Sequence, residues 1–353
     1  MRSAVLYISL FALVFAMGCL DSFTFDNLDQ DTSIVVDGQL QSNDGPHTLR
    51  ISRVLKFGDK FFDPVPGVLV RLNHNDTFYE YEEVSPGVHM ISQGVVSPEE
   101  GDVCYIELTL PNGDLIKSTP DIMPGSNAIG EVNALFKRET TTNKFGIKLR
   151  ERIIEVSINA EYPKIDQGEQ FFLRFGIEED YSYPEVFCGG LHQPKSCYIN
   201  VPAFSRDFTL FNSSLSAKSK VDSLSLFKKQ DLTSTEFRGR HYFTVFQYTI
   251  TEGAYEYWLK VKEVTNQSGT VFDKPPAMVI GNLSNKTDLS QPVLGYFELT
   301  SVQIAREFII PSEYFEGAFD QDRCGPFLRR TWPGSCCNCL EIQNATTFRP
   351  PWF

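Results

Sequence analysis

The chain has 353 residues, a formal net charge of −13 and 42% hydrophobic residues, and it includes 29 Phe and 14 Tyr. That acidity disfavours nucleic acid as a partner and leaves no polybasic patch for anionic lipid, while the aromatic content excludes a disordered chain. The length suggests two domains of ordinary size.

Residues 1–18 read as a targeting leader. Arg2 supplies a charged start, Ala4 to Ala16 form a mainly apolar run, and small residues follow. The run is too short for a membrane span, which needs about 20 residues. Ala16-Met17-Gly18-Cys19 resembles a bacterial lipobox, although Ala16 stands where Leu is commonest. In a lipobox the leader is cut before the cysteine, which then carries acyl chains, so Cys19 is the expected lipid anchor. Two or three chains make such an anchor durable. Loss of Arg2 with the leader takes the mature charge to −14. Residues 19–32, with Asp21, Asp26, Asp29 and Asp31, read as an acidic tether.

From residue 33 the pattern turns to strands. Ser33–Leu40 is β-branched and compact, and Leu49 and Ile51 share a face. Val68, Val70 and Leu72 alternate with Leu69 and Arg71. Cys104, Ile106, Leu108 and Leu110 alternate with Tyr105, Glu107 and Thr109. Pro111-Asn112-Gly113-Asp114 signals a hairpin, because Asn-Gly tolerates positive φ. Short strands with regular turns over roughly 100 residues imply a sandwich of immunoglobulin or transthyretin type at 33–120. Ser118–Glu131 holds two prolines and two glycines and loses the alternation, which places a linker at 121–135.

A second β-rich domain is expected over 136–320. Ile154, Val156, Ile158 and Ala160 alternate with Glu155, Ser157, Asn159 and Glu161, the pattern of a half-buried strand. Phe171, Leu173, Phe175 and Ile177 share a face, and His241–Ile250 is apolar on both sides. One helix, near 252–267, brings Ala254, Tyr255, Trp258, Leu259, Val261 and Lys262 round at helical spacing. Thr251 serves as its N-cap, and its aromatic stripe packs on the second sheet.

The last segment, 321–353, is rich in cysteine. Cys104, on an inward strand face, reads as a buried free thiol. Cys188 and Cys197 bracket a short polar loop that a disulfide would close, and Cys324, Cys336, Cys337 and Cys339 form a cluster. In an exported chain disulfides are the default. A zinc site is the rival reading, weakened because Cys-Cys and Cys-x-Cys lack the usual two-residue spacer.

Catalytic motifs are missing: no His-Glu-x-x-His, Gly-x-Ser-x-Gly or phosphate-cradling loop occurs. The histidines His47, His74, His89, His192 and His241 are scattered. Glu82-Glu83 and Glu178-Glu179-Asp180 read as solvated loop charge. The expectation is a non-enzyme without cofactor or metal. A hydrolase whose acids meet only in space, a ligand-capture protein using Trp and Tyr, and a secreted glycoprotein are the competing classes. The last rests on sequons at Asn75, Asn212, Asn266, Asn282, Asn285 and Asn344.

The ending GSCCNCLEIQNATTFRPPWF is similar to that of a family of Bacteroidota surface lipoproteins known only as a domain of unknown function. IVVDGQL, PVPGVLVRL, EGAYEYWLKV, VFDKPPAMVIGNLSN and VLGYFELTSV resemble its further motifs in the same order. IQNATTF departs from the family's usual Gly-Gly pair. The resemblance implies an accessory role beside an outer-membrane β-barrel, a TonB-dependent receptor first, an assembly or secretion machine second. It implies attachment to the outer membrane through lipid on the extracellular side, for which acidic residues behind the anchor are the export signal in that phylum. Asp222-Ser223-Leu224 fits the phylum's O-glycosylation pattern. No catalytic residue is carried over.

Overall fold

The structure is a computed structural model that describes residues 33–54, 63–142, 146–161, 170–191, 193–201, 208–215, 220–230, 232, 236–237, 239–265, 278–310, 324 and 332–353. The leader, Cys19, the tether and His192 lie outside the described residues.

The chain is mainly β. Strands β1 (Ile34–Gln41), β2 (His47–Arg53) and β5 (Val88–Ile91) lie in one layer, and β3 (Leu69–His74), β6 (Val103–Thr109), β7 (Leu115–Ser118) and β8 (Asp121–Ile122) in another. Strand β4 (Thr77–Ser85) links the layers: Thr77–Tyr81 pairs with β3, and Glu82–Ser85 pairs with β5. Period-two alternation sends Val36, Leu40, Leu49 and Ile51 from one layer against Val70, Leu72, Ile106, Leu108 and Ile116 of the other. The β3–β4 hairpin turns on Asn75 and Asp76, both at positive φ (47° and 63°), as a two-residue turn of the primed kind requires. Cys104 is a free, fully buried thiol, and burial pushes its pKa up to about 12.

A three-stranded sheet follows, ordered β14 (Lys220–Lys229), β10 (Lys148–Glu161), β9 (Glu131–Thr142). It packs Val132, Ala134, Ile154, Val156 and Ile158 against Leu173, Phe175 and Ile177 of β11 (Phe172–Pro184) and Phe243 and Val245 of β15 (His241–Ile250). The expected half-burial of β10 is exceeded. Glu155 and Ser157 are also buried, and Glu155 is matched by a hydrogen-bonded ion pair with Lys137 on β9. The other face of β11 and β15 carries helix α1 (Glu252–Thr265). Thr251 Oγ1 accepts from Ala254 N (3.3 Å) and donates to Asp121 Oδ2 (2.7 Å), which caps the helix and ties it to the first sandwich. Ala254 is buried against Phe172, Ile250 and Tyr296. Strands β12 (Ser196–Val201), β13 (Thr209–Asn212) and β18 (Ala345–Thr346) extend the sheet beyond β11.

The two halves are joined by more than a linker. Strand β17 (Val293–Ile309) runs parallel to β1 from Ile34↔Val293 to Gln41↔Thr300, then antiparallel to β15 from Ile250↔Thr300 to His241↔Ile309. Its first part gives Val293, Phe297 and Leu299 to the first core, and Ile309 belongs to the second. Leu283 of β16 (Leu283–Asn285) and Met123 also complete the first core, although sequence reading placed them in the second domain and the linker. The reason is pairing at a distance, which a local pattern cannot encode. Gly295 permits it: its φ is +90°, and any Cβ there would overlap the Val36 carbonyl.

Candidate functional site

Two arrangements concentrate charge, aromatic surface and covalent bonds. The first lies on the seam between the halves, under α1. Alternation along β11 and β17 turns Arg174 and Glu298 to the helix side, where the side chains are 14% and 4% exposed. Glu298 Oε1 accepts from Arg174 Nη2 (2.7 Å) and Gln39 Nε2 (2.6 Å), and Oε2 accepts from Trp258 Nε1 (2.5 Å). The guanidinium lies over Tyr248 (4.2 Å) and Trp258 (4.6 Å). Residues from β1, β11 and α1 therefore meet at one β17 carboxylate, and Tyr248 of β15 backs the guanidinium. With three donors and almost no exposure, Glu298 serves as a joint and not as an acid or base for substrate.

The second lies at the far end of β11 and β15. Glu179 and Asp180, read from sequence as loop charge, sit buried on β11. Two other strands supply the partners that the sequence pattern did not show. Glu179 accepts from His241 Nε2 (2.7 Å) and from Lys229 Nζ (2.9 Å to Oε2), while Lys229 also reaches Glu236 (3.5 Å). Burial works to raise the Glu179 pKa, but the bonds from His241 and Lys229 outweigh it and hold the carboxyl below its ordinary value. His241 is fully buried between Phe237 (4.5 Å, stacked) and Tyr181 (5.7 Å, stacked). Asp180 accepts from Asn200 Nδ2 (2.9 Å).

Beyond this cluster the C-terminal segment is bolted to the sheet. The bridges are Cys188–Cys337, Cys197–Cys339 and Cys324–Cys336. All six candidate cysteines are thus paired with one another, which leaves no thiolate set for zinc. The closure of Cys188 on Cys197 does not occur. Cys197 is fully buried on β12 and meets Cys339, and Cys188, in the preceding loop, meets Cys337. Cys336 ends one short 3-10 turn, Cys337 caps it and Cys339 begins the next, so their side chains diverge toward three partners. Tyr183 Oη contacts Cys324 Sγ at 3.1 Å, and Glu185 Oε1 accepts from Cys339 N (2.8 Å).

The tail continues across the sheet. Strand β18 pairs with β12, and the Phe353 ring lies edge-on to Tyr198 (4.9 Å) and Tyr242 (4.6 Å). Beside it Arg306 lies over Trp352 (4.4 Å) and Arg240 over Phe308 (5.6 Å), with Ile304, Phe308 and Trp352 exposed. The arrangement presents a rigid surface of aromatic rings and guanidinium groups. Sequence reading found the cysteines but not this surface, whose members come from β15, β17 and the tail. Among the described residues no three His, Cys, Asp or Glu side chains are grouped to hold a metal ion, and no helix is long and apolar enough to cross a membrane. No curated protein matches the chain. Residues 21–306 match the family described as a domain of unknown function (DUF4249), and the chain belongs to that family.

Proposed function

We propose that this protein is a non-catalytic, surface-exposed outer-membrane lipoprotein, anchored through Cys19, that serves as an accessory subunit of a TonB-dependent receptor or a related outer-membrane β-barrel complex. The observation that carries the partner role is the braced surface of Ile304, Phe308, Trp352, Arg240 and Arg306. Trp, Tyr and Arg dominate the energetics of protein interfaces; Ile304, Arg306 and Phe308 stand on strand β17, and the Cys188–Cys337 and Cys197–Cys339 bridges fasten the tail that carries Trp352. The lipobox and acidic tether supply the anchoring part of the reading, and they also raise the effective concentration for a membrane partner. A stable complex should bury at least about 1,000 Å².

The test is isolation from gently solubilised native membranes. The barrel should co-purify with the wild type, and Phe308→Ala with Trp352→Ala should weaken that association at least tenfold. Added protease should remove the protein from intact cells, and Cys19→Ala should release it from the membrane fraction. Purification without any barrel, or protection until the outer membrane is broken, would sink the proposal.

A further inference from the structure

The hairpin of β9 and β10 runs on past the core that it helps to build. Up to Phe136 and Ile154 the inward face of the pair is apolar and belongs to the second core. Beyond that level the same face carries Arg138 opposite Arg152, Thr140 opposite Arg150 and Thr142 opposite Lys148, because side chains two apart along a strand share a face. All six of these residues are exposed. Like charges set directly across a sheet repel. The other face of the hairpin balances its charges: Lys137 pairs with Glu155, and Glu139 with Lys228 (2.8 Å). On the basic face Arg138, Lys148 and Arg150 have no carboxylate within ion-pair distance among the described residues. The net charge of −13, which argued against any basic patch, conceals this one.

Unpaired cations on a self-repelling face select an anionic partner. Lys148, Arg150 and Arg152 follow one another at two-residue steps of about 6.6 Å, the step at which alternate side chains of another extended chain also recur. Carboxylates at every second position of an extended segment therefore meet them in register. A long polyanion fits poorly, because past the patch it would enter the field of a chain with 45 acidic and 32 basic residues. The anchoring bilayer is remote as well. Ile154 lies opposite Lys229, Lys229 bonds Glu179, Glu179 bonds His241 and His241 lies opposite Ile309, so the patch sits beyond the last residue of β17. The described chain enters at the other end, where Ile34 lies opposite Val293, and β17 covers roughly 50 Å between the two.

We propose that the basic face of the β9–β10 hairpin, carried by Arg138, Lys148 and Arg150, is a docking surface for an extended acidic segment of a partner protein, with Asp or Glu at alternate positions. It goes beyond the barrel reading, because it gives the charge of a second contact on residues other than those of the aromatic surface. Only the exclusion of the bilayer leans on the anchor at Cys19.

Fluorescence anisotropy tests this with a short labelled peptide of alternating Glu and Thr, against the oxidised mature chain, residues 19–353, with Cys19→Ser. The peptide should bind, and binding should weaken as salt rises from about 50 to about 300 mM. A matching peptide of alternating Lys and Thr should not bind. Arg138→Gln, Lys148→Gln and Arg150→Gln together should weaken binding about tenfold or more, as expected for three exposed charge contacts. The same triple variant should keep or gain thermal stability, because it relieves repulsion, so its loss of binding is not a loss of fold. Arg138→Lys with Arg150→Lys should retain most of the binding. Lys228→Gln, which removes a cation already paired with Glu139, should leave it unchanged. The proposal fails if wild type ignores the acidic peptide, or if Lys228→Gln costs as much as the triple variant. Stronger binding of oligothymidylate or of phosphatidylglycerol vesicles, lost in the triple variant, would assign the face to phosphate and overturn the protein partner. Phe308→Ala with Trp352→Ala should not change peptide binding, so this result and the barrel co-purification stand or fall separately.

Discussion

The first sandwich and the C-terminal end of the second region handle polar groups differently. In the first, Cys104 is a free thiol in an apolar core, and both ring nitrogens of His89 and the Tyr81 hydroxyl are buried without a partner. At the other end, Glu179 is matched by His241 and Lys229, and six cysteines form three bridges. The first region has long alternating strands whose apolar faces suffice. The second must hold residues 332–353, which contain only short 3-10 turns and a two-residue strand. Such a segment buries too little apolar surface to offset its own ordering entropy, so covalent bonds do what packing cannot.

The largest break in that comparison should come from the bridges. Either the Cys188–Cys337 or the Cys197–Cys339 bridge alone keeps the long loop closed (sequence separations 149 and 142), so Cys188, Cys197, Cys337 and Cys339 are replaced by Ser together to open it. The chain-entropy argument puts the loss near 4–5 kcal/mol as an upper figure. Hydrogen exchange should show lost protection over β12, β18 and the tail, with β2, β3 and β6 unchanged. Equal loss in both regions would show that they do not stand apart.

Next comes the seam. Glu298→Gln leaves the Arg174 charge buried without its counter-charge, and breaking a buried pair this way costs about 3–5 kcal/mol. Arg174→Met combined with Glu298→Leu should cost clearly less, because no lone charge remains. Urea unfolding of the two variants measures the difference, and equal losses would mean that the pair acts by shape alone.

The smallest effect should be acid sensitivity. Burial lowers the pKa of His47 and His89 from the ordinary 6.5, so below that pH the unfolded chain takes up protons that the folded chain refuses. Stability of the first sandwich should therefore fall as pH drops from 7 toward 5. The Glu179 carboxyl is held below its ordinary 4.5, so its contribution should last until more acid conditions. Protease mapping at pH 5.5 should cut the first region before the second, and His89→Leu should reduce the effect. Thermal stability that is flat between pH 7 and 5 would remove this distinction.

Much of the fold was legible because its signals are local. The alternation at Val68, Val70 and Leu72, and at Cys104, Ile106 and Leu108, leads to buried faces, and Thr251 begins the helix. What was hidden depends on partners far along the chain. Glu155, Glu179 and Glu298 look like surface charge until Lys137, His241 with Lys229, and Arg174 arrive from other strands. The cysteine pairing escaped for the same reason: Cys188 and Cys197 are near each other in sequence, but β12 and the loop before it meet different parts of the returning tail.

The parallel pairing of β1 with β17 carries a consequence for the order of folding. Gln39 and Glu298 bond across 259 positions, and β16 and the start of β17 close the first core. Contacts of such separation form slowly, because a long loop must be closed before they yield any stabilisation. The N-terminal sandwich therefore cannot reach its final form until nearly all of the chain has been made. Its opening strand β1 waits through most of synthesis for the parallel partner that only β17 supplies.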